Sequence, residues 1–520
     1  MAKKTQKKSI TESPIAEHRA KTKALALSLD QTEVYEWLII HGYLPEAYVL
    51  PPCYRVLEYR NTAIPYYEVD SYGKYNPTRT ECTHVHYPKT ELTDRNFGII
   101  HPHIHHDIAH LLAHNWTEIV EAMIPVDSVV APYSFPVPID ASTPGRIGFL
   151  RSGRMIYEFI TMTDEDLASV AYRFTHQVVA DIKNFFPSIY THSLAWALHG
   201  KEFIRLPKNR NNYNLFGNRL DKLFQNASDG CTNGVPIGPA VSDIAGEIIA
   251  AAVDREFTKF IQANNIECEA VRFKDDYRIL VSSEGDAKAV IKYLQAALKV
   301  YNLELSDPKT NVFKLPDGLF RSWVSMYHVA HPLVKEDFSW KEFRELYLTV
   351  LRIDAACPNT GVVDRFLSDI TKSNGQLKVD VDVWNLRKVI SMLLMLATLR
   401  IKSFPKVIAI IESVLKSMFG SEHKAQIVEY LESYLEMLAK EEGRNKYLIS
   451  WIGYFLVSND LIQLLSSKHK FKDPITKSIF ENCGLVFKGV PDFTIFENCE
   501  IAAKRVSLFE HLDVFNPPRD

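Results

Sequence analysis

The run Val271-Arg272-Phe273-Lys274-Asp275-Asp276-Tyr277-Arg278-Ile279-Leu280 alternates apolar and polar side chains on either side of an Asp-Asp pair. Val271 and Phe273 oppose Arg272 and Lys274; beyond the pair, Tyr277, Ile279 and Val281 oppose Arg278, Leu280 and Ser282. That is the pattern of two half-buried strands joined by a tight turn. Adjacent carboxylates at such a turn can hold a divalent metal, but an isolated Asp-Asp is more often the ordinary content of a surface turn. The rest of the chain has to decide between the two.

Three further segments fall in an order that does so. His176-Gln177-Val178-Val179-Ala180-Asp181-Ile182 reads as a strand whose aspartate, near its end, looks into a cleft. The glycine- and proline-rich loop 230–239 opens a helix, because Pro239 suits a first helical turn and Val241, Ile244, Ala245, Ile248, Ile249, Ala252, Val253 and Phe257 recur at three and four. After the hairpin, an amphipathic helix is expected over 287–301 and a strand over 303–312. Strand, loop and helix, hairpin, helix and strand together describe a small antiparallel sheet backed by helices. In a palm-shaped sheet of this kind Asp181 converges with Asp275 and Asp276. Two Mg²⁺ ions bound there would activate a hydroxyl and stabilise a leaving pyrophosphate.

Composition narrows the setting. The 520 residues are 46% hydrophobic and 24% charged, the balance of a soluble globular chain of several domains. The net charge of −3 means that any basic groups meeting nucleic acid are local. The first 22 residues, with Lys3, Lys4, Lys7 and Lys8, are expected to be a flexible basic arm without the apolar stretch of a signal peptide. The seven cysteines form no C-x-x-C pair, which argues for free thiols in a reducing compartment and against a zinc site. The longest apolar run, 389–399, is shorter than the roughly 20 residues a bilayer crossing needs. A cytoplasmic protein with no membrane partner is expected.

Two other clusters stand out. Six histidines lie between His101 and His114, with His106/His110 and His110/His114 on one helix face. Metal binding and packed or surface histidines are both readings of that face, and the absence of an acidic or cysteine partner set beyond Asp107 favours packing. Arg146, Arg151 and Arg154 lie on a proline- and glycine-rich stretch and could meet a polyphosphate or simply face solvent. From about residue 335 the chain changes to long helices, expected at 340–353, 383–402, 406–418, 424–439 and 446–465 and arranged in pairs, with Pro405, Gly420 and Gly443 as punctuation.

The ordered set resembles the reverse transcriptases over about residues 130 to 325. The resemblance is carried by Ala180-Asp181-Ile182-Lys183-Asn184-Phe185-Phe186, Gly234-Val235-Pro236-Ile237-Gly238-Pro239-Ala240-Val241-Ser242, Phe273-Lys274-Asp275-Asp276, and Leu303-Glu304-Leu305 with Lys309-Thr310, matching motifs A to D. Phe186-Pro187-Ser188-Ile189-Tyr190-Thr191-His192-Ser193 and Trp196-Ala197-Leu198-His199-Gly200-Lys201 look more narrowly like the bacterial defence-associated reverse transcriptases, which include the abortive-infection polymerases.

That resemblance implies an α+β fold: right-hand polymerase fingers and palm, then an all-α C-terminal domain in the thumb position, of helical-repeat type. It implies fingers over 23–150, palm over 151–325 with a fingers insertion near 200–230, and the helical domain over 326–520. It makes Asp181, Asp275 and Asp276, with Ile182, the metal set for two Mg²⁺ ions, with Mn²⁺ as a substitute. Lys309 becomes the general acid for pyrophosphate. Asn184 and Phe185 face the triphosphate, Phe186 stands where an aromatic ring excludes a ribose 2′-hydroxyl, and Gly238, Arg146 and Arg154 join the substrate set. Two residues depart from the family. Ile237 stands where glutamine is common, removing a polar contact near nucleotide and template, and Lys274 replaces a small or apolar residue.

The implied activity is DNA synthesis from dNTPs in anti-phage defence. It is either copied from an RNA template or associated non-coding RNA, or untemplated and primed by a protein hydroxyl, leaving the DNA product attached. Tyr430, Tyr434, Tyr447 and Tyr454 are candidate primers. A homo-oligomer or a complex with a second defence protein is implied. The competing reading is a catalytically silent polymerase fold that binds nucleic acid or serves as a scaffold.

Overall fold

The protein was analysed as a computed structural model that describes residues 13–58, 66–89, 93–139, 145–148, 153–331, 335–358, 360–372, 375–485, 487, 490 and 493–512. Its strands are β1 (Tyr54–Glu58), β2 (Thr83–Pro88), β3 (Asp94–Ile99), β4 (Val130–Pro132), β5 (His176–Asp181), β6 (Cys268–Phe273), β7 (Asp276–Val281), β8 (Asn311–Lys314) and β9 (Thr494–Phe496). Five of them make the central sheet in the order β4-β6-β7-β5-β8, with β4 parallel to β6 and the other pairs antiparallel.

The sheet is backed by the helices Ala240–Ala263 and Glu284–Val300, as the apolar periodicity requires. Val178, Ala180, Ile279 and Val281 pack with Ile244, Ile248, Val290 and Leu294 in one core. The second helix starts three residues before its expected position, because the Ser283 side chain accepts from Asp286 N and caps it. The strand expected over 303–312 is interrupted. Leu305 makes a single bridge to Ile182, Asp307–Lys309 turns as a 3₁₀ helix around Pro308, which has no N–H to give a ladder, and β8 follows.

At the N-terminus the helix Pro14–Leu27 occupies the second half of the span read as a flexible arm. Trp116 Nε1 donates to Ala26 O at 2.9 Å, and Ile15 and Ala26 are buried. A separate helix, Gln31–Ile40, follows a break at which Asp30 accepts from Thr32 N.

In the C-terminal half the helices run Trp340–Ala356, Val362–Asp369, Leu386–Leu399, Phe404–Lys416, Lys424–Ala439 and Glu442–Ser458, with neighbours in sequence packed in pairs. The last ends at Ser458, short of the expected 465, where Asp460 takes a positive φ of 54°. The core of this half also takes in Tyr43, Val56, Val85 and Phe97 from the first hundred residues. β1 pairs with β9, and Tyr54 Oη donates to Ile475 O at 3.0 Å. Packing therefore crosses the sequence border drawn at residue 326. No helix of the described residues is long and apolar enough to cross a membrane.

Candidate active site

Antiparallel pairing sets the geometry. In the β5–β7 ladder Asp181 lies opposite Asp276, and the β6–β7 turn consists of Lys274 and Asp275. Ile182 N donates to Asp275 O at 3.1 Å and Ser306 N to Asp181 O at 2.8 Å, so the three aspartates sit on backbone that is tied together. Ile182 itself is fully buried.

Their electrostatics show what the arrangement lacks. Burial, then the Asp181 charge, pushes the Asp275 carboxyl up from its ordinary value. Asp276 keeps surface open to solvent, yet the protein packed around its carboxyl, followed by Asp275 and Asp181, pushes it up to about 7. The nearest compensation is Lys309, whose Nζ lies 2.6 Å from Asp181 Oδ2. Burial would lower the Lys309 ammonium, but the Asp181 bond and the other two carboxylates outweigh it and raise it. Three carboxylates facing the half-exposed Lys309, with Lys274 acting on Asp275 and itself shared with Glu46 and Asp243, are short of positive charge. That donor set fits hard divalent cations, which take oxygen ligands. Among the described residues no group of three or more His, Cys, Asp or Glu is already arranged as a metal cage.

The substrate-side residues gather on the same edge. Asn184 takes the left-handed conformation (φ 46°) at the start of the turn Phe185–Ser188. Phe185 is buried and Phe186 half-buried, with ring centroids 5.3 Å apart. Both rings lean on Gly246, where a Cβ would come within 3.2 Å of each. The loop before the helix is knitted to this turn, since Val235 N donates to Phe186 O at 3.1 Å. Ile237 gives its carbonyl to Gly98 N at 2.9 Å and packs its side chain against the second core. Gly238 has φ 121°, and a Cβ there would meet Pro45 at 2.8 Å, so only glycine fits.

Lys274, left open between a phosphate and a carboxylate partner, has its Nζ 3.4 Å from Glu46 and 3.9 Å from Asp243. Arg146 is exposed, and among the described residues no bond joins it to the aspartates. Arg154 lies on the helix Gly153–Val170, and its side chain falls outside the described ones, as does Arg151.

The largest correction concerns Arg272. Alternation put it on the polar face, but it is completely buried. Its Nε donates to Asp254 Oδ2 and its Nη1 to Glu247 Oε2, both at 2.9 Å, and Nη1 also reaches Lys274 O at 2.9 Å. Ser134 Oγ accepts from Lys274 N at 2.7 Å and donates to Glu247 at 2.6 Å, while Tyr277 Oη donates to Asp254 Oδ1 at 2.8 Å. A buried, hydrogen-bonded ion cluster thus clamps the turn from below to the helix Ala240–Ala263. A signal for it was present, because Glu247 and Asp254 stand seven apart on one helix face among residues that are otherwise apolar.

Two of the six histidines are absorbed by packing, and His114 is exposed. His105 and His106 are buried, His105 Nε2 lies 3.0 Å from Leu38 O, and His106 Nδ1 lies 3.1 Å from Asp107 Oδ1.

A comparison with curated proteins returned no match. Among solved structures, telomerase from Candida tropicalis in its apo form is similar with a TM-score of 0.32 and 12% identity, over 80% of this chain and 70% of that one. Telomerase from Candida albicans in complex with a fragment of telomeric RNA is similar with a TM-score of 0.24 and 12% identity, over 54% of this chain. The chain spans 52% of the length of that second protein. The family model for reverse transcriptase (RNA-dependent DNA polymerase) matches residues 149–340, which hold Asp181, the Asp275-Asp276 turn, both backing helices and Lys309. Residues 149–340 thus match a nucleotidyltransferase domain of the RNA-directed DNA polymerase type, set in a mixed α+β fold that continues into a helical region.

Proposed function

We propose that the chain polymerises dNTPs with divalent metal held by Asp181, Asp275 and Asp276, and that it does so in bacterial anti-phage defence. One observation carries the chemistry: three carboxylates converge on one turn, two of them pushed up by burial and then by their neighbours, with Lys309 bonded to the third. Divalent cations bound there would acidify the attacking hydroxyl and neutralise the phosphates. The turn carrying Asp275 and Asp276 is held by Arg272 and Ser134. Lys309 keeps its proton at neutral pH and can deliver it to departing pyrophosphate. Phe186, backed by Gly246, is the ring that would exclude a 2′-hydroxyl.

The defence role is supported by the stretches 186–193 and 196–201 and by the helical C-terminal half. Untemplated, protein-primed synthesis is favoured over RNA copying by Ile237, which offers an apolar side chain and an occupied carbonyl where a polar contact would read a template. Of the four tyrosines considered as primers, Tyr447 and Tyr454 are buried, and Tyr447 Oη donates to Tyr48 O at 2.7 Å. A priming hydroxyl from this set is then that of Tyr430 or Tyr434, both half-buried.

The test incubates purified protein with Mg²⁺ and labelled dNTPs, with and without RNA. Metal-dependent incorporation that falls about a thousandfold in Asp275→Ala is expected. No incorporation by the wild type, or undiminished incorporation by the variant, sinks the proposal. Product that stays with protein through phenol extraction when no RNA is added supports the primed mode, and strict dependence on added RNA overturns it.

A further inference from the structure

The histidine-rich helix Pro102–His114 takes no part in the carboxylate site, yet its flank builds a second cavity. Tyr66 stacks on His106, with ring centroids 4.4 Å apart and planes at 13°, and sits 4.0 Å from His110. On the other side Tyr75 and Tyr213 lie 5.7 Å apart. Between them is a cleft of about 410 Å³, also lined by Asp107 and Arg219. That volume suits a small molecule rather than a water or an ion.

The charges around the cleft define what it accepts. Burial first, then His114 and His106, pulls His110 below its ordinary value, so its imidazole is neutral at neutral pH and serves as a flat, uncharged surface. Asp107 is already engaged, because its Oδ2 accepts from Tyr67 N at 2.8 Å and its Oδ1 lies 3.1 Å from His106 Nδ1. Arg219 differs: it is half-buried on the cleft wall, and among the described residues its buried Nε has no hydrogen-bond partner. A buried N–H without an acceptor is costly to leave unsatisfied, and a guanidinium matches an anionic oxygen group best. The wall thus offers aromatic rings and, in Arg219, a cationic donor, while of its two carboxylates Asp107 is engaged and Glu68 is exposed to solvent.

We propose that this cleft binds a nucleotide unit, its base stacked among the tyrosine and histidine rings and its phosphate on Arg219. A base and a phosphate joined in one unit supply both the planar face and the anion, and aromatic platforms take any base because every base has a π-face. The unit is either a free mononucleotide or one residue of a single strand. Both share this chemistry.

The experiment uses the full chain carrying Asp275→Ala, in EDTA, so that the metal-dependent site cannot contribute and the result stands apart from the polymerase proposal. AMP, adenosine and a short oligoadenylate are titrated separately by calorimetry. Binding at one site is expected to weaken about tenfold or more on Arg219→Ala and on Tyr213→Leu, and adenosine is expected to bind at least about tenfold more weakly than AMP. Thermal melting identifies any variant that fails to fold, and the other then carries the comparison. AMP binding as tightly as the oligonucleotide assigns a free nucleotide, whereas oligonucleotide binding without AMP binding assigns a strand. The proposal is overturned if neither probe binds, or if binding is unchanged in the folded variants.

Discussion

Two buried ion clusters, one under the candidate active site and one in the helical half, are mirror images in charge. Beneath the Asp275-Asp276 turn a single cation, Arg272, sits between two carboxylates, Glu247 and Asp254. In the helical half a single carboxylate, Asp364, sits between Arg400 Nε at 2.5 Å and Lys406 Nζ at 3.0 Å, with Ser403 Oγ donating at 3.0 Å. Burial raises Glu247 and Asp254 in spite of Arg272. Burial would raise Asp364 too, but Lys406 and then Arg400 hold it well below the usual carboxylate range. The palm cluster therefore carries surplus negative charge directly below three more carboxylates, and the helical cluster carries surplus positive charge. Acidic residues alone do not mark a site. Uncompensated ones at a shared edge do, and the buried cluster below them holds the turn in place.

The comparison breaks most sharply at Arg272. Replacing it by Met leaves two buried carboxylates without their cation, and breaking a buried ion pair from one side costs about 3–5 kcal/mol. The denaturant midpoint should fall accordingly, and metal-dependent incorporation should fall with it, because Lys274 O loses its donor. A loss below about 1 kcal/mol would mean that the cluster does not hold the turn. Asp364→Asn should cost less, about 1–3 kcal/mol, because the amide keeps some hydrogen bonds and the 17% exposed Arg400 side chain can turn toward water. Equal costs for the two substitutions would erase the asymmetry between the clusters.

These clusters also show what the sequence made legible. The strands around Asp181 and the Asp-Asp turn were readable because apolar alternation and motif order are local signals. Lys424–Ala439 was readable to the residue because its apolar stripe is regular and uninterrupted. Arg272 was misread because alternation assigns faces by polarity, whereas its charge is met by Glu247 and Asp254 from a helix distant in sequence. The partners of Lys274 were hidden for the same reason, since Glu46 lies 228 positions away. The short helix Val362–Asp369 and the β1–β9 pairing, which joins residues 54–58 to residues 494–496, depend on tertiary packing that no short window contains. The histidine spacing leaves metal and packing both open and the missing partner set favours packing, but the aromatic rings around these histidines are not reported by spacing.

The smallest effect is the most specific, because the two clusters respond to pH with opposite signs. Glu247 and Asp254 bind protons more tightly folded than unfolded, so their contribution is present below the ordinary values of 4.5 and 3.8 and is lost as pH rises through the higher folded values. Asp364 binds its proton less tightly when folded, so its contribution is present above 3.8 and is lost as pH falls below it toward the depressed folded value. Acidification from about pH 7 to about pH 3 should therefore weaken the helical cluster while relieving the palm cluster. Hydrogen exchange, corrected for the intrinsic rate at each pH, reads this directly. Amides of Phe404–Lys416, which carries Lys406, should lose protection relative to those of Ala240–Ala263, which carries Glu247 and Asp254. Asp364→Asn should remove the acid dependence in the first helix and leave the second unchanged. If the palm helix opens first on acidification, the charge asymmetry does not govern local stability, and the mirror-image account of the two clusters fails.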